Sequence, residues 1–283
     1  MKIQLQTLTL LCALSLTACT TMAPKAAPEE PRASLSPVLD RIRERGKIVV
    51  GTTGNQPPLV ARDKDGGLIG LEADLARLIA LSMGVEPEIK AMAFADLLPA
   101  LSNGTIDIVL SGMTMTSERN MKVAFVGPYF ISGTSLLTKE GSIERMGDIN
   151  RINDPSTRLA ALKGSTSQRI VEDLIPKATL RLVPDYDDAV EMVIKGDVDA
   201  VIADHLFCVL TALRHEDDKL TTLVRPLTFE PIGIALPPND PLLVNWMDNF
   251  FLMLEGTGLL DDLTARWLDD PSWLEDVDPK LLD

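Results

Sequence analysis

The chain of 283 residues has a formal net charge of −14 and an apolar share of 46%, enough for one large or two ordinary domains. Its acidity argues against a nucleic-acid partner or an anionic-membrane surface, because both need clustered Lys and Arg to neutralise phosphate. His205 and His215 are the only histidines, neither lies in a cluster with metal-ligand spacing, and no phosphate-loop, dinucleotide or nucleophile-elbow pattern occurs, so no metal and no cofactor are expected.

Met1 and Lys2 give a short positive start, residues 3–16 are mostly apolar, and Leu16-Thr17-Ala18-Cys19 closes the segment. Residues 1–18 therefore read as a secretory signal, too short and too polar for a comfortable membrane span. The ending resembles the bacterial lipobox, which implies cleavage before Cys19 and acylation of that cysteine; a plain signal peptide is the alternative. Residues 20–36 are rich in Pro, Ala and Glu without an apolar period, as in a flexible tether, and residues 19–46 are assigned to the tether and a first short helix. Acyl chains would anchor the protein on a membrane, each buried methylene contributing ~0.8 kcal/mol. Cys12 leaves with the signal, so Cys208, inside Leu206-Phe207-Cys208-Val209-Leu210, has no internal disulfide partner and is expected as a packed thiol.

Beyond the tether, residues 47–53 read as a strand, and the turn Lys64-Asp65-Gly66-Gly67 precedes a helix with apolar residues at Leu71, Leu75, Leu78, Ile79 and Met83, ended by Gly84. A strand at 88–92 leads to a helix at 94–101, in which Pro99 is awkward outside the first turn. Next comes Asp107-Ile108-Val109-Leu110-Ser111-Gly112-Met113-Thr114-Met115-Thr116-Ser117-Glu118-Arg119, an apolar strand that stops at small hydroxyl residues and turns into a helix start capped by Thr116. Such a loop offers N–H groups and hydroxyls beside one cation, Arg119, and suits a small carboxylate, although an arginine there is more often a surface residue or a local ion-pair partner. A second alternating set follows: strands at 158–162, 179–183 and 198–203, helices at 165–174 and 186–195. It delivers the hydroxyl-rich Gly164-Ser165-Thr166 and, at a strand end, Asp204. Two lobes facing one cleft would bring these groups together. A strand at 231–236 and helices at 241–255 and 258–267 then return to the first lobe, and the tail at 269–283 packs as an appendage.

In order and spacing, Gly51-Thr52-Thr53 with Pro57-Pro58, Gly70-Leu71-Glu72-Ala73-Asp74-Leu75, Phe94-Ala95-Asp96-Leu97-Leu98-Pro99-Ala100-Leu101, the 111–119 loop, Gly164-Ser165-Thr166 and Gly196-Asp197-Val198-Asp199-Ala200-Val201 resemble the bacterial extracellular solute-binding proteins of family 3, over residues 48–267. The resemblance implies an α/β fold, a two-lobed periplasmic binding protein type II clamshell in which each lobe is a mainly parallel sheet flanked by helices. Lobe 1 would span 47–132, lobe 2 133–230, and 231–283 would return to lobe 1, with crossings near 131–135 and 230–233. It further implies that Arg119 clamps a ligand α-carboxylate with help from Gly112, Thr114 and Thr166, that Asp204 accepts the α-ammonium, that Ser111 and Ser165 also belong to the ligand site, and that Phe94 and Gln56 face the ligand side chain. Asp204 as an ordinary helix cap is the alternative, and the two roles are compatible. Gln56 replaces a common aromatic, and Thr53 stands where binders of basic amino acids often carry an acid, so a polar or neutral amino acid is favoured. The implied protein is a monomeric, membrane-anchored lipoprotein on the periplasmic or extracellular side, handing an amino acid to an ABC transporter permease, with no nucleic-acid partner. A cyclohexadienyl dehydratase shares the fold, but the position of its catalytic glutamate holds Phe207 here, and a phenyl ring cannot move a proton. A ligand sensor outside transport is the remaining alternative.

Overall fold

Residues 34–277 are described by a computed structural model, and their strands gather into two five-stranded sheets. In the first, the order is Glu86–Ala91, Lys47–Thr52, Ile108–Val109, Glu230–Leu236, Ala124–Ser132; the first three run parallel and the last two antiparallel to their neighbours. In the second, the order is Leu220–Thr222, Thr134–Lys139, Ala200–Asp204, Arg158–Leu162, Thr179–Val183, with the last three parallel. Each sheet is thus more mixed than the strand-helix alternation implies. The physical reason is the pair of crossings: a strand that enters from the other lobe arrives without a crossover helix and runs against its neighbours.

Gly133 alone separates Ala124–Ser132 in one sheet from Thr134–Lys139 in the other. A Cβ on Gly133 would lie 2.1 Å from the Thr228 carbonyl oxygen, so only glycine lets the two crossings run this close. Glu230 pairs with Ser132, and the Thr134 N–H donates to Thr228 Oγ1 at 2.8 Å. The hinge is therefore two adjacent segments, each held by the other.

The Leu71–Met83 helix buries Leu71, Leu75, Ala76 and Ile79 against the first sheet, each large aliphatic side chain contributing about 1.5–3 kcal/mol. Gly84, at φ 69°, closes it. Pro99 lies inside the Phe94–Ser102 helix, past its first turn; burial of Leu97, Ala100 and Leu101 offsets the missing hydrogen bond. The C-terminal helices Pro241–Gly256 and Leu259–Leu268 pack on the first lobe. There Asp240, fully buried, accepts from the N–H groups of Val38, Leu39 and Leu243, and Trp267 Nε1 donates to Asp74 at 2.9 Å. The following Pro271–Glu275 turn sets Trp273 against Trp267, 5.9 Å between ring centroids. Cys208 is a buried free thiol whose pKa burial pushes well up. The signal, Cys19 and most of the tether lie outside the described residues, and no described helix is long and apolar enough to cross a membrane.

Candidate functional site

The loop after Ile108–Val109 ends in a single helical turn, Ser117–Asn120, whose cap is the Thr116 hydroxyl accepting from the Arg119 N–H at 3.2 Å. That turn aims the Arg119 side chain into the cleft. Its Nη1 donates to the Thr114 carbonyl at 2.9 Å, its Nη2 crosses to the Gly164 carbonyl of the other lobe at 3.1 Å, and the Phe94 ring lies 5.6 Å from Cζ. Among the described residues no carboxylate forms an ion pair with it. Burial lowers its pKa to about 10, and the charge of Glu230 only partly offsets that.

From the second lobe, Asp204 ends the Ala200–Asp204 strand. Its Oδ1 accepts from the Leu206 N–H at 3.0 Å, capping the His205–Arg214 helix, while Oδ2 accepts from the Ser132 hydroxyl at 2.5 Å. Burial raises its pKa from 3.8 to about 6 against the pull of these hydrogen bonds, and no cation pairs with it among the described residues. Cap and cavity-facing acid are one residue.

Arg119 and Asp204 line a common cavity of about 20 Å³ with Gln56, Phe94, Gly112, Thr114, Ser165 and Thr166, and with Thr134, Tyr186 and Glu230. That is room for little more than one water, since the polar groups of the two lobes reach one another across it. Eight of the nine expected ligand-site residues are therefore neighbours. Ser111 is the correction: fully buried behind the loop, its hydroxyl accepts from the Thr53 N–H at 3.0 Å and it does not line the cavity. Gly112 needs its φ of 56°, and a Cβ there would meet the Gln56 amide at 2.9 Å, but its N–H already donates to Glu72 Oε1 at 2.5 Å. Ser165 is likewise committed, donating to the Leu162 carbonyl and capping Thr166–Leu174.

Two carboxylates in this region escape the sequence reading. Glu230 accepts hydroxyl bonds from Thr114, Thr134, Thr166 and Thr228. Glu72, 1% exposed, sits beneath Gly112, accepts from the Tyr129 hydroxyl at 2.5 Å as well, and leaves Oε2 without a partner among the described residues; burial raises its pKa from 4.5 to about 7. An acid directly before Pro231 and the apolar run 232–236, and an acid among buried helix positions, are the cues that mark them. Phe207 stacks on Tyr186 at 4.3 Å between centroids, a packing role.

The model for bacterial extracellular solute-binding proteins, family 3, matches residues 48–270. The chain belongs to that family. It is 26% identical over 231 residues to the L-cystine-binding protein TcyJ of Escherichia coli (strain K12), covering 81% of this chain and 85% of that protein. It is also 25% identical to the cyclohexadienyl dehydratase of Pseudomonas aeruginosa, over 82% of this chain and 86% of the enzyme. The binding component of an ABC transporter from Wolinella succinogenes, solved with lysine, superposes with a TM-score of 0.76 at 34% identity, covering 82% of this chain and all of that one. The two sheets and their paired crossings are thus the lobes and hinge of the two-lobed, type II periplasmic binding fold.

Proposed function

We propose that this family member captures a small L-α-amino acid between its lobes and delivers it to an ABC transporter permease. The observation that carries the reading is the pair of opposite charges, Arg119 from one lobe and Asp204 from the other, each without an ion-pair partner among the described residues and both facing one cavity. Buried charges are costly unless paired, and a zwitterion pairs both at once. A polar or neutral side chain is the favoured occupant of the end lined by Gln56 and Phe94. Anchoring through an acylated Cys19 on the outer side of a membrane fits capture at the cell surface; Cys19→Ser should then move the protein from membranes to the soluble fraction, and retention of that variant would remove the anchor.

A thermal-shift screen of the common amino acids tests the site. A ligand bound by the folded state alone, at a hundred times its dissociation constant, stabilises by about 2.7 kcal/mol. At least one amino acid should give a clear shift that Arg119→Ala abolishes. No shift with any of them, or turnover of prephenate, would overturn the reading in favour of another role on the same fold.

A further inference from the structure

Glu230 is 7% exposed, and its carboxylate accepts four hydroxyl hydrogen bonds. Thr134 and Thr228 donate to Oε1 at 2.6 and 3.1 Å, and Thr114 and Thr166 donate to Oε2 at 2.7 and 2.9 Å. The two Oε2 donors come from different lobes: Thr114 follows the Ile108–Val109 strand, and Thr166 opens the Thr166–Leu174 helix. Both flank Arg119, which bonds the carbonyls of Thr114 and Gly164. A hydroxyl has a single proton to give. A ligand carboxylate that pairs with Arg119 and draws on Thr114 and Thr166 must therefore take both hydrogen bonds away from Glu230.

We propose that Glu230 is an internal competitor for the ligand's carboxylate: its Oε2 occupies the Thr114 and Thr166 donors, clasps the two lobes through them, and is displaced when a carboxylate-bearing ligand enters. The inference rests on the amino-acid reading of the cavity. It makes Glu230 a specificity-determining residue that lowers affinity for acids. Two charge-assisted bonds are exchanged rather than gained, and a second carboxylate is brought beside the first. A ligand that lacks a carboxylate has no reason to displace it.

Glu230→Gln is the test, because the amide keeps the shape and one acceptor oxygen while its NH₂ cannot accept a hydroxyl proton. Full-length protein is titrated by calorimetry with L-arginine, L-glutamine and their α-carboxamides, and its radius of gyration is measured by scattering without any of them. Glu230→Gln should bind the free acids about tenfold more tightly, leave the carboxamides within about twofold, and show a larger radius before ligand is added. Glu230→Asp keeps the charge but is one methylene too short to span Thr114 and Thr166, so it should move both readouts in the same direction and decides the matter if the amide variant fails to fold. Unchanged or weaker binding of the acids in these variants, or an unchanged radius, would overturn the proposal. If wild type binds none of the four compounds, the titrations are run with the amino acid that gives the thermal shift and with its α-carboxamide; if no common amino acid binds, the amino-acid reading itself fails, whereas the ligand-free radii still decide whether Glu230 clasps the lobes.

Discussion

Asp204 carries two demands that conflict at one carboxylate. In the proposed site it must be ionised to accept an ammonium group, yet desolvation raises its pKa to about 6, so in the ligand-free protein the competent form is lost as pH falls through that value. Amino-acid affinity is expected to be flat above pH about 7 and to drop towards about tenfold per pH unit well below 6, as required when binding takes the ionised form. Calorimetry from pH 5 to 8 checks this, with Asp204→Asn weakening binding and erasing the acid limb; a wild-type affinity that is level across the range would show that the ammonium is held elsewhere. Asp204 and Arg119 were legible as candidates, the first because it ends an apolar run with a charge at the carboxyl end of a strand, the second because it follows a hydroxyl-rich loop in a helical turn capped by Thr116. Glu230 was not. Its donors come from positions 114, 134, 166 and 228, and no local period reports that four distant hydroxyls converge on one acid. Ser111 shows the opposite failure: it belongs to the right loop, but its hydroxyl is buried against Thr53 and away from the cavity.

At the scale of elements, the Leu71–Met83 helix links stability to the site loop. Glu72 lies among its buried residues and holds the Gly112 N–H and the Tyr129 hydroxyl on one oxygen. Its pKa is raised by folding, from 4.5 to about 7, chiefly by desolvation. The unfolded chain therefore gives up this proton at lower pH than the native one does. The sign follows: the contribution to stability is fully present below about 4.5 and is lost as pH rises through about 7, roughly 3 kcal/mol in all. Glu72→Gln retains the acceptor oxygen without the charge, so denaturant melts should show a flatter dependence between pH 4.5 and 7 and a variant at least as stable as wild type at pH 8. Loss of stability at pH 8 would mean that the ionised acid is needed by the loop. Most element types were readable because strands of five or six residues alternate with capped helices. The antiparallel strands were not, since their direction is dictated by the hinge and not by their own residues.

For the whole molecule, besides the hydroxyl bonds of Ser132 to Asp204 and of Thr134 to Glu230 at the crossings, three contacts among the described residues join the lobes around the cavity: Arg119 to the Gly164 carbonyl, Thr166 to Glu230, and the Glu118–Arg169 ion pair. The last is half-exposed on both sides and contributes little, about 0–1 kcal/mol, so closure rests on the inner two. A ligand shifts an equilibrium between open and closed forms only by the extra contacts it makes in the closed one. An amino acid held as proposed by Arg119 and Asp204 would supply them, because neither lobe alone offers both charges, and the paired crossings at Gly133 and Glu230 give the lobes a common axis. Scattering at saturating amino acid should therefore show a smaller radius of gyration than the free protein. The contraction should be larger in Glu230→Gln, whose free form starts without its clasp, and should vanish in Arg119→Ala. An unchanged wild-type radius under conditions where calorimetry confirms binding would place the whole ligand on one lobe, and would separate the site from the hinge.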